Sequence, residues 1–292
     1  MASSRAPEFP LLRLLRVQNV FTAAADAFAG YGWTGTWDWR RAAVCAGASA
    51  CLYTGGLVLN DLCDLERDRT LHPARPLPMG HVTPAQAFAL AAGLLAVGIM
   101  VAASLGPRVA AVAAQIAIFV IAYDSLLKRW RLPGAAAMGL TRGLDFAMGM
   151  AAGGALFHDP PAFFAPVTLA IFIFIITFLS TFEEGPKTRG VLGAGIVLAA
   201  LALLSPLAWV LMPWRAGAPL VLGAGAILVS GYRGMKHEPE DFLPAVVRTG
   251  VRCVIPFNAA VLLGTLENPV PGLVVLALVV PTYGLGRLLS GS

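Results

Sequence analysis

Charge is what this chain has least of. Asp, Glu, Lys and Arg together make up 13% of its 292 residues, against roughly 25% in a soluble domain. A deficit of that size excludes an ordinary aqueous surface. No long polar stretch divides the chain, so it reads as a single domain over residues 1–292. Cysteine and histidine are equally sparse, four of each. Cys45, Cys51, Cys63 and Cys253 show no metal-ligand spacing, and Cys45 and Cys51 lie in an apolar run as small core residues. His72, His81, His158 and His237 fall in loops with no ligand partner at helical spacing. The formal net charge of +5 is spread over short loops and never forms a continuous basic face, which excludes nucleic acid as a partner. The N-terminal stretch lacks the compact apolar core and cleavage site of a signal peptide, because Arg13 and Arg16 interrupt it. It reads as a short cytoplasmic leader.

What the chain has instead is hydrophobic residues, 58% of the total, in runs that recur from end to end. Many approach the roughly 20 residues needed to cross the hydrocarbon of a bilayer. The fold class is therefore all-α: a polytopic transmembrane helical bundle of nine to ten helices. Ten spans are expected, at 11–31, 42–60, 84–105, 108–127, 134–156, 162–182, 190–212, 217–232, 244–265 and 270–289. The ninth carries Arg248, Arg252 and Asn258. Abundant Gly, Ala and Ser within these runs allow close helix approach in lipid.

Basic residues set the orientation. With the N-terminus inside, sixteen Lys and Arg fall on the inner side and four, Arg40, Arg41, Arg108 and Arg215, on the outer side. Both termini, the polar loop 61–83 and the loop 183–189 then face the cytoplasm, so one site can draw on both loops.

The end of the second span reads Asn60-Asp61-Leu62-Cys63-Asp64-Leu65-Glu66-Arg67-Asp68. At about 100° per residue, Asn60, Asp61, Asp64 and Asp68 share roughly a quarter of a helix surface, while Glu66 points away. Aspartates crowded on one face repel one another and call for a cation. Hard oxygen ligands suit magnesium, which keeps waters and shares its shell with substrate phosphates. The competing reading is a solvated helix end neutralised by neighbouring arginines. Arg142 stands inside an apolar span with Asp145 three residues on, on the same face. Such a pair either neutralises itself or serves a cavity.

The string NDLCDLERD resembles the NDxxDxxxD motif of the UbiA superfamily of membrane prenyltransferases. Arg75-Pro76-Leu77-Pro78-Met79-Gly80 resembles that family's RPLPSG segment, departing at Met79. Tyr123-Asp124-Ser125-Leu126-Leu127-Lys128-Arg129 is similar to its YxxxLKR helix end. The resemblance implies a bundle around a central cavity in a bacterial or other prokaryotic inner membrane. It also implies a magnesium-dependent enzyme that transfers a prenyl group from a prenyl diphosphate to an acceptor the sequence does not identify. On that reading Asn60, Asp61, Asp64, Asp68 and Glu184 are the catalytic set. Asn60, Asp64, Asp68 and Glu184 hold Mg2+, with Asp61 behind the ligands. Arg75, Tyr123, Lys128, Arg142 and Asp145 contact the prenyl diphosphate, whose tail lies among apolar helices open to membrane lipid.

The family's second acidic motif is degenerate here. The sixth span ends Thr177-Phe178-Leu179-Ser180-Thr181-Phe182-Glu183-Glu184, with no DxxD. Glu184 shares a face with Thr177, Ser180 and Thr181 and is expected to face the site, with Glu183 turned about 100° away. The glutamate pair and the string MGLTRGLDFAMGM resemble the EboC-like branch of the superfamily. Two further readings follow from the lost motif: a terpene cyclase with no separate acceptor, and a non-catalytic carrier of a prenyl lipid or its precursor.

Overall fold

The computed structural model describes residues 14–154, 163–183, 189–209, 214–237 and 242–290. Among the described residues every regular element is a helix. In chain order they are α1 (Val17–Gly32), α2 (Trp39–Cys63), α3 (Leu65–Leu71), α4 (Pro84–Ala103), α5 (Pro107–Ser125), α6 (Arg131–Gly153) and α7 (Phe164–Ser180). There follow α8 (Arg189–Leu204), α9 (Pro206–Trp209), α10 (Trp214–His237), α11 (Phe242–Arg252), α12 (Val254–Thr265), α13 (Val270–Ala277) and α14 (Val279–Ser290). The all-α polytopic architecture is as the composition predicts.

Local sequence explains where the helices start and stop. Asp38 caps α2, its carboxylate accepting from the Arg40 amide at 2.8 Å. Thr83 and Gln86 form a capping box on α4, with Pro84 at the first turn. Gly154, at φ 86°, ends α6 in the left-handed region that glycine enters without steric cost. Helix α11 gives way to α12 just after Arg252, and α13 to α14 just after Ala277. Pro256 and Pro281 stand four residues beyond those two positions, so the carbonyls of Arg252 and Ala277 lose their helical donors.

Membrane-crossing capacity differs from the ten spans expected. Among the described residues five helices are long and apolar enough to cross: Trp39–Cys63, Pro84–Ala103, Pro107–Ser125, Ala216–Lys236 and Phe242–Thr265. Phe164–Ser180, Gly190–Leu204 and Val270–Leu285 are apolar but shorter. Helix α1 carries Asp26, and α6 carries Arg142 and Asp145, all three buried. These two helices are the inner wall of the bundle, and inner-wall helices tolerate charge that lipid-facing ones do not.

Packing places the site. Helix α2 lies against α4, α1 against α6, and α5 and α7 against α6. A Cβ on Gly30 of α1 would run into the Phe146 carbonyl of α6, and one on Gly149 of α6 would lie 2.6 Å from the Tyr31 amide nitrogen. These two glycines let α1 and α6 approach backbone to backbone, as small residues do in membrane bundles.

Candidate active site: two chambers sharing a neck

Two cavities lie between α2, α5 and α6. The outer one, about 790 Å3, is polar and includes Asn60, Asp64, Asp68, Arg75, Lys128 and Glu183 in its wall. The inner one, about 210 Å3, is walled largely by apolar side chains such as Leu52, Leu57, Ile116, Val120 and Met138. Arg16, Asn60, Tyr123 and Asp124 line both. They form the neck between a polar chamber and an apolar one.

The acidic segment is not one continuous helix. Helix α2 stops at Cys63, Asp64 adopts φ −92° and ψ 4°, and α3 restarts at Leu65. Asp64, at the break, and Asp68, beyond it, line the outer chamber. Asp61 is buried and lines neither chamber; it accepts from Arg16 and lies 3.7 Å from Arg75. The carboxylates are relieved by basic side chains. Arg75 contacts Asp68 at 2.5 Å, and Lys128 contacts Asp64 at 2.8 Å and Asp124 at 3.5 Å. Among the described residues no three His, Cys, Asp or Glu side chains are grouped as a preassembled metal cage. The donors present still fit magnesium, because Asp64, Asp68 and Asn60 supply only oxygens to one chamber, and this ion needs one or two carboxylates alongside substrate phosphates.

Asp124 is the residue that sequence reasoning passed over. It is buried, and its Oδ1 accepts from Asn60 Nδ2 at 2.7 Å. Its position four residues before Lys128 on α5 was the available signal, an acid–base pair at helical spacing. Arg16 was taken for a positive-inside anchor, yet it stands at the neck with φ 43° and ψ 48°. A non-glycine residue in this region is held there by its surroundings, here by the grip on Asp61.

Two assignments change. Arg142 and Asp145 do not meet the outer chamber; they close the far end of the inner one. Nor do they pair with each other: Arg142 Nη2 lies 2.8 Å from Asp26 Oδ2, and Asp145 Oδ2 accepts from Ser49 at 2.7 Å. Asn258 Nδ2 donates to Asp26 Oδ1 at 2.6 Å from behind. The i,i+3 spacing placed both residues on one face, but α1 inserts Asp26 at the arginine. Glu183, expected to turn away, lines the outer chamber with Ser180 and Thr181. Glu184 lies outside the described residues. Met79, the departure in the RPLPSG-like turn, is exposed and lines neither chamber.

Residues 19–241 match the model of the UbiA prenyltransferase family. The chain is 33% identical over 218 residues to a digeranylgeranylglyceryl phosphate synthase of Sulfolobus acidocaldarius, covering 68% of this chain and 78% of that one. Its fold is similar to the apo structure of a UbiA homolog from Aeropyrum pernix K1, with a TM-score of 0.69 at 18% identity, over 84% of this chain and 97% of that one. It is also similar to a UbiA homolog from Archaeoglobus fulgidus bound to GPP and Mg2+, with a TM-score of 0.60 at 18% identity, over 86% and 99% of the two chains.

Proposed function

The chain belongs to the UbiA prenyltransferase family, and on that premise we propose that it takes a prenyl diphosphate across the neck and transfers the prenyl group to an acceptor entering the outer chamber. The observation that carries this reading is the shared neck. A polar, charged chamber continuous with an apolar one through Arg16, Asn60, Tyr123 and Asp124 is complementary to a ligand with an anionic head and a hydrocarbon tail. The bond that breaks joins head to tail, so it belongs at the neck.

Arg75 and Lys128 are the head-group cations. Each now neutralises a carboxylate; when the diphosphate enters, both turn to its oxygens in charge-assisted hydrogen bonds. Asp64, Asp68 and Asn60 would hold magnesium, with Glu184 completing the set as the family resemblance implies. The ion would supply positive charge against the departing diphosphate. Tyr123 offers its ring to the allylic carbon at the neck, where positive charge develops. Asp124, oriented by Asn60, takes the proton that the acceptor loses as its new bond to that carbon forms.

The acceptor class follows from the relative and from charge. The Sulfolobus acidocaldarius protein is named for a prenylated glyceryl phosphate. Arg129 and Arg131 line the outer chamber, and among the described residues neither has a carboxylate at ion-pair distance. They suit the phosphate of an acceptor that carries one. A prenylglyceryl phosphate with a free hydroxyl is therefore the first acceptor to try. By the proposed orientation the outer chamber opens to the cytoplasm.

The test is diphosphate release from geranyl diphosphate in detergent or nanodiscs, with and without magnesium and the acceptor. Magnesium-dependent release that rises with acceptor supports the enzyme. Tight, magnesium-dependent binding with no release in either condition supports the carrier reading instead. The feature favouring the carrier is the degenerate second acidic motif, which has no DxxD at the end of the sixth span.

A further inference from the structure

The inner chamber ends on charge, and that is unusual for a space that has to hold hydrocarbon. Its far wall presents Ser49, Tyr53, Arg142 and Asp145. Arg142 and Asp145 are each 5% exposed. The guanidinium lies over the Tyr53 ring, 5.6 Å from its centroid. Arg142 Nε and Nη1 and Asp145 Oδ1 have no hydrogen-bond partner among the described residues. Buried polar atoms left in that condition are satisfied by water, or their burial costs a few kcal/mol per group. The far end of an otherwise apolar chamber therefore presents charge whose hydrogen-bonding capacity is not filled by the protein.

We propose that this polar floor is a length stop for the prenyl tail, which restricts the donor to short prenyl diphosphates, up to farnesyl. The inference rests on the reading of the site as a prenyl diphosphate site. Its magnitude comes from α2. Tyr53 and Ser49 both line the chamber and stand seven and eleven residues before Asn60 at the neck, which at 1.5 Å per residue is about 10 and 16 Å. An extended prenyl chain advances about 5 Å per isoprene unit, four carbon–carbon bonds in zigzag. By this ruler a geranyl tail ends level with Tyr53, at the near edge of the floor, and a farnesyl tail ends just short of Ser49, at its far edge. A geranylgeranyl tail would have to push its last unit against Arg142 and Asp145, whose unpartnered polar atoms hydrocarbon cannot satisfy. Elsewhere in the chamber each added unit gains from burial, at about 25 cal/mol per Å2 of apolar surface. The floor reverses that gain at the fourth unit.

The experiment is a series of dissociation constants for geranyl, farnesyl and geranylgeranyl diphosphate in the presence of magnesium. Affinity should rise or hold from geranyl to farnesyl, then fall about tenfold at geranylgeranyl. Replacing the carboxylate that faces the chamber and the hydroxyl that holds it (Asp145→Leu with Ser49→Ala) leaves the Arg142–Asp26 ion pair in place and makes the floor less polar. That variant should recover part of the geranylgeranyl loss. A second variant, Ile116→Phe, narrows the chamber about 12 Å from Asp124 at the neck without touching the charges of the floor; it should weaken farnesyl more than geranyl diphosphate. Geranylgeranyl diphosphate bound by the unaltered protein as tightly as farnesyl would overturn the stop, since the tail would then leave sideways between helices. So would an Ile116→Phe protein with no change across the series. Failure of all three diphosphates to bind in a magnesium-dependent way would defeat the prenyl diphosphate reading itself, a different outcome from a flat series.

Discussion

Two charged clusters sit on the same pair of chambers, and they differ in almost every respect except their ingredients. The outer cluster pairs Asp61, Asp64 and Asp68 with Arg16, Lys128 and Arg75. The inner one pairs Asp26 with Arg142 and leaves Asp145 on Ser49. Outer partners reach from a loop and from a helix end into an open chamber, so each cation can exchange a carboxylate for a phosphate. Inner partners come from the middle of packed helices, and no ligand head group can enter to replace them. The lesson is that an ion pair by itself does not mark a binding site. What matters is whether the cation has somewhere else to go.

The comparison breaks most sharply at the inner pair. Arg142→Met strands the buried carboxylate of Asp26 and should cost roughly 3–5 kcal/mol of stability, the range for breaking a buried pair from one side. A large fall in the detergent melting temperature would show it; an unchanged melt would mean the inner pair contributes nothing.

The same kind of change in the outer cluster should leave folding intact and strike binding instead. Asp68→Asn and Asp64→Asn remove the proposed magnesium ligands, so magnesium-dependent binding of geranyl diphosphate should fall below detection in titration calorimetry. Melting should remain near that of the unaltered protein, because the bundle rests on packing. If binding survives in both variants, the metal assignment fails.

A smaller effect is expected from the cations. Arg75→Met or Lys128→Met removes a charge-assisted hydrogen bond worth about 1.5–3 kcal/mol, or ten- to a hundredfold in diphosphate affinity. Magnesium should still be required in both. Smaller again is the change for the glutamates. Glu183 lines the outer chamber at its edge, so Glu183→Gln should weaken magnesium-dependent binding several-fold; the helix-face argument assigns Glu184→Gln the larger loss. Measuring the two together decides between placement and periodicity. The least effect belongs to Glu66→Gln. Glu66 and Arg69 form an exposed pair at 2.8 Å on α3, and exposed pairs contribute under about 1 kcal/mol. Neither melting nor binding should move beyond error.

By itself the sequence determined the class of the molecule. Scarce charge and recurrent apolar runs leave only a membrane bundle, and capping residues and prolines place some helix ends locally, as Asp38 and Thr83 do. The outer chamber was legible in part for the same reason: Asn60, Asp64, Asp68 and Arg75 are near neighbours in sequence, and Tyr123 and Lys128 stand five residues apart, at the end of α5 and in the short turn after it. Periodicity, however, says which face a residue occupies and not what it meets there. Only the tertiary structure decided that Asn60 would hold Asp124, 64 residues away, and that Asn258 would reach Asp26 across 232 residues. Arg16 took Asp61 as its partner away from either chamber, which a helical wheel could not show. The close approach of α1 to α6 at Gly30 and Gly149 brought Asp26 to Arg142. It thereby moved an arginine that reads as a phosphate contact to the bottom of an apolar chamber. Burial in a bundle is a property of neighbouring helices, and one helix's pattern carries no information about the identity of its neighbour.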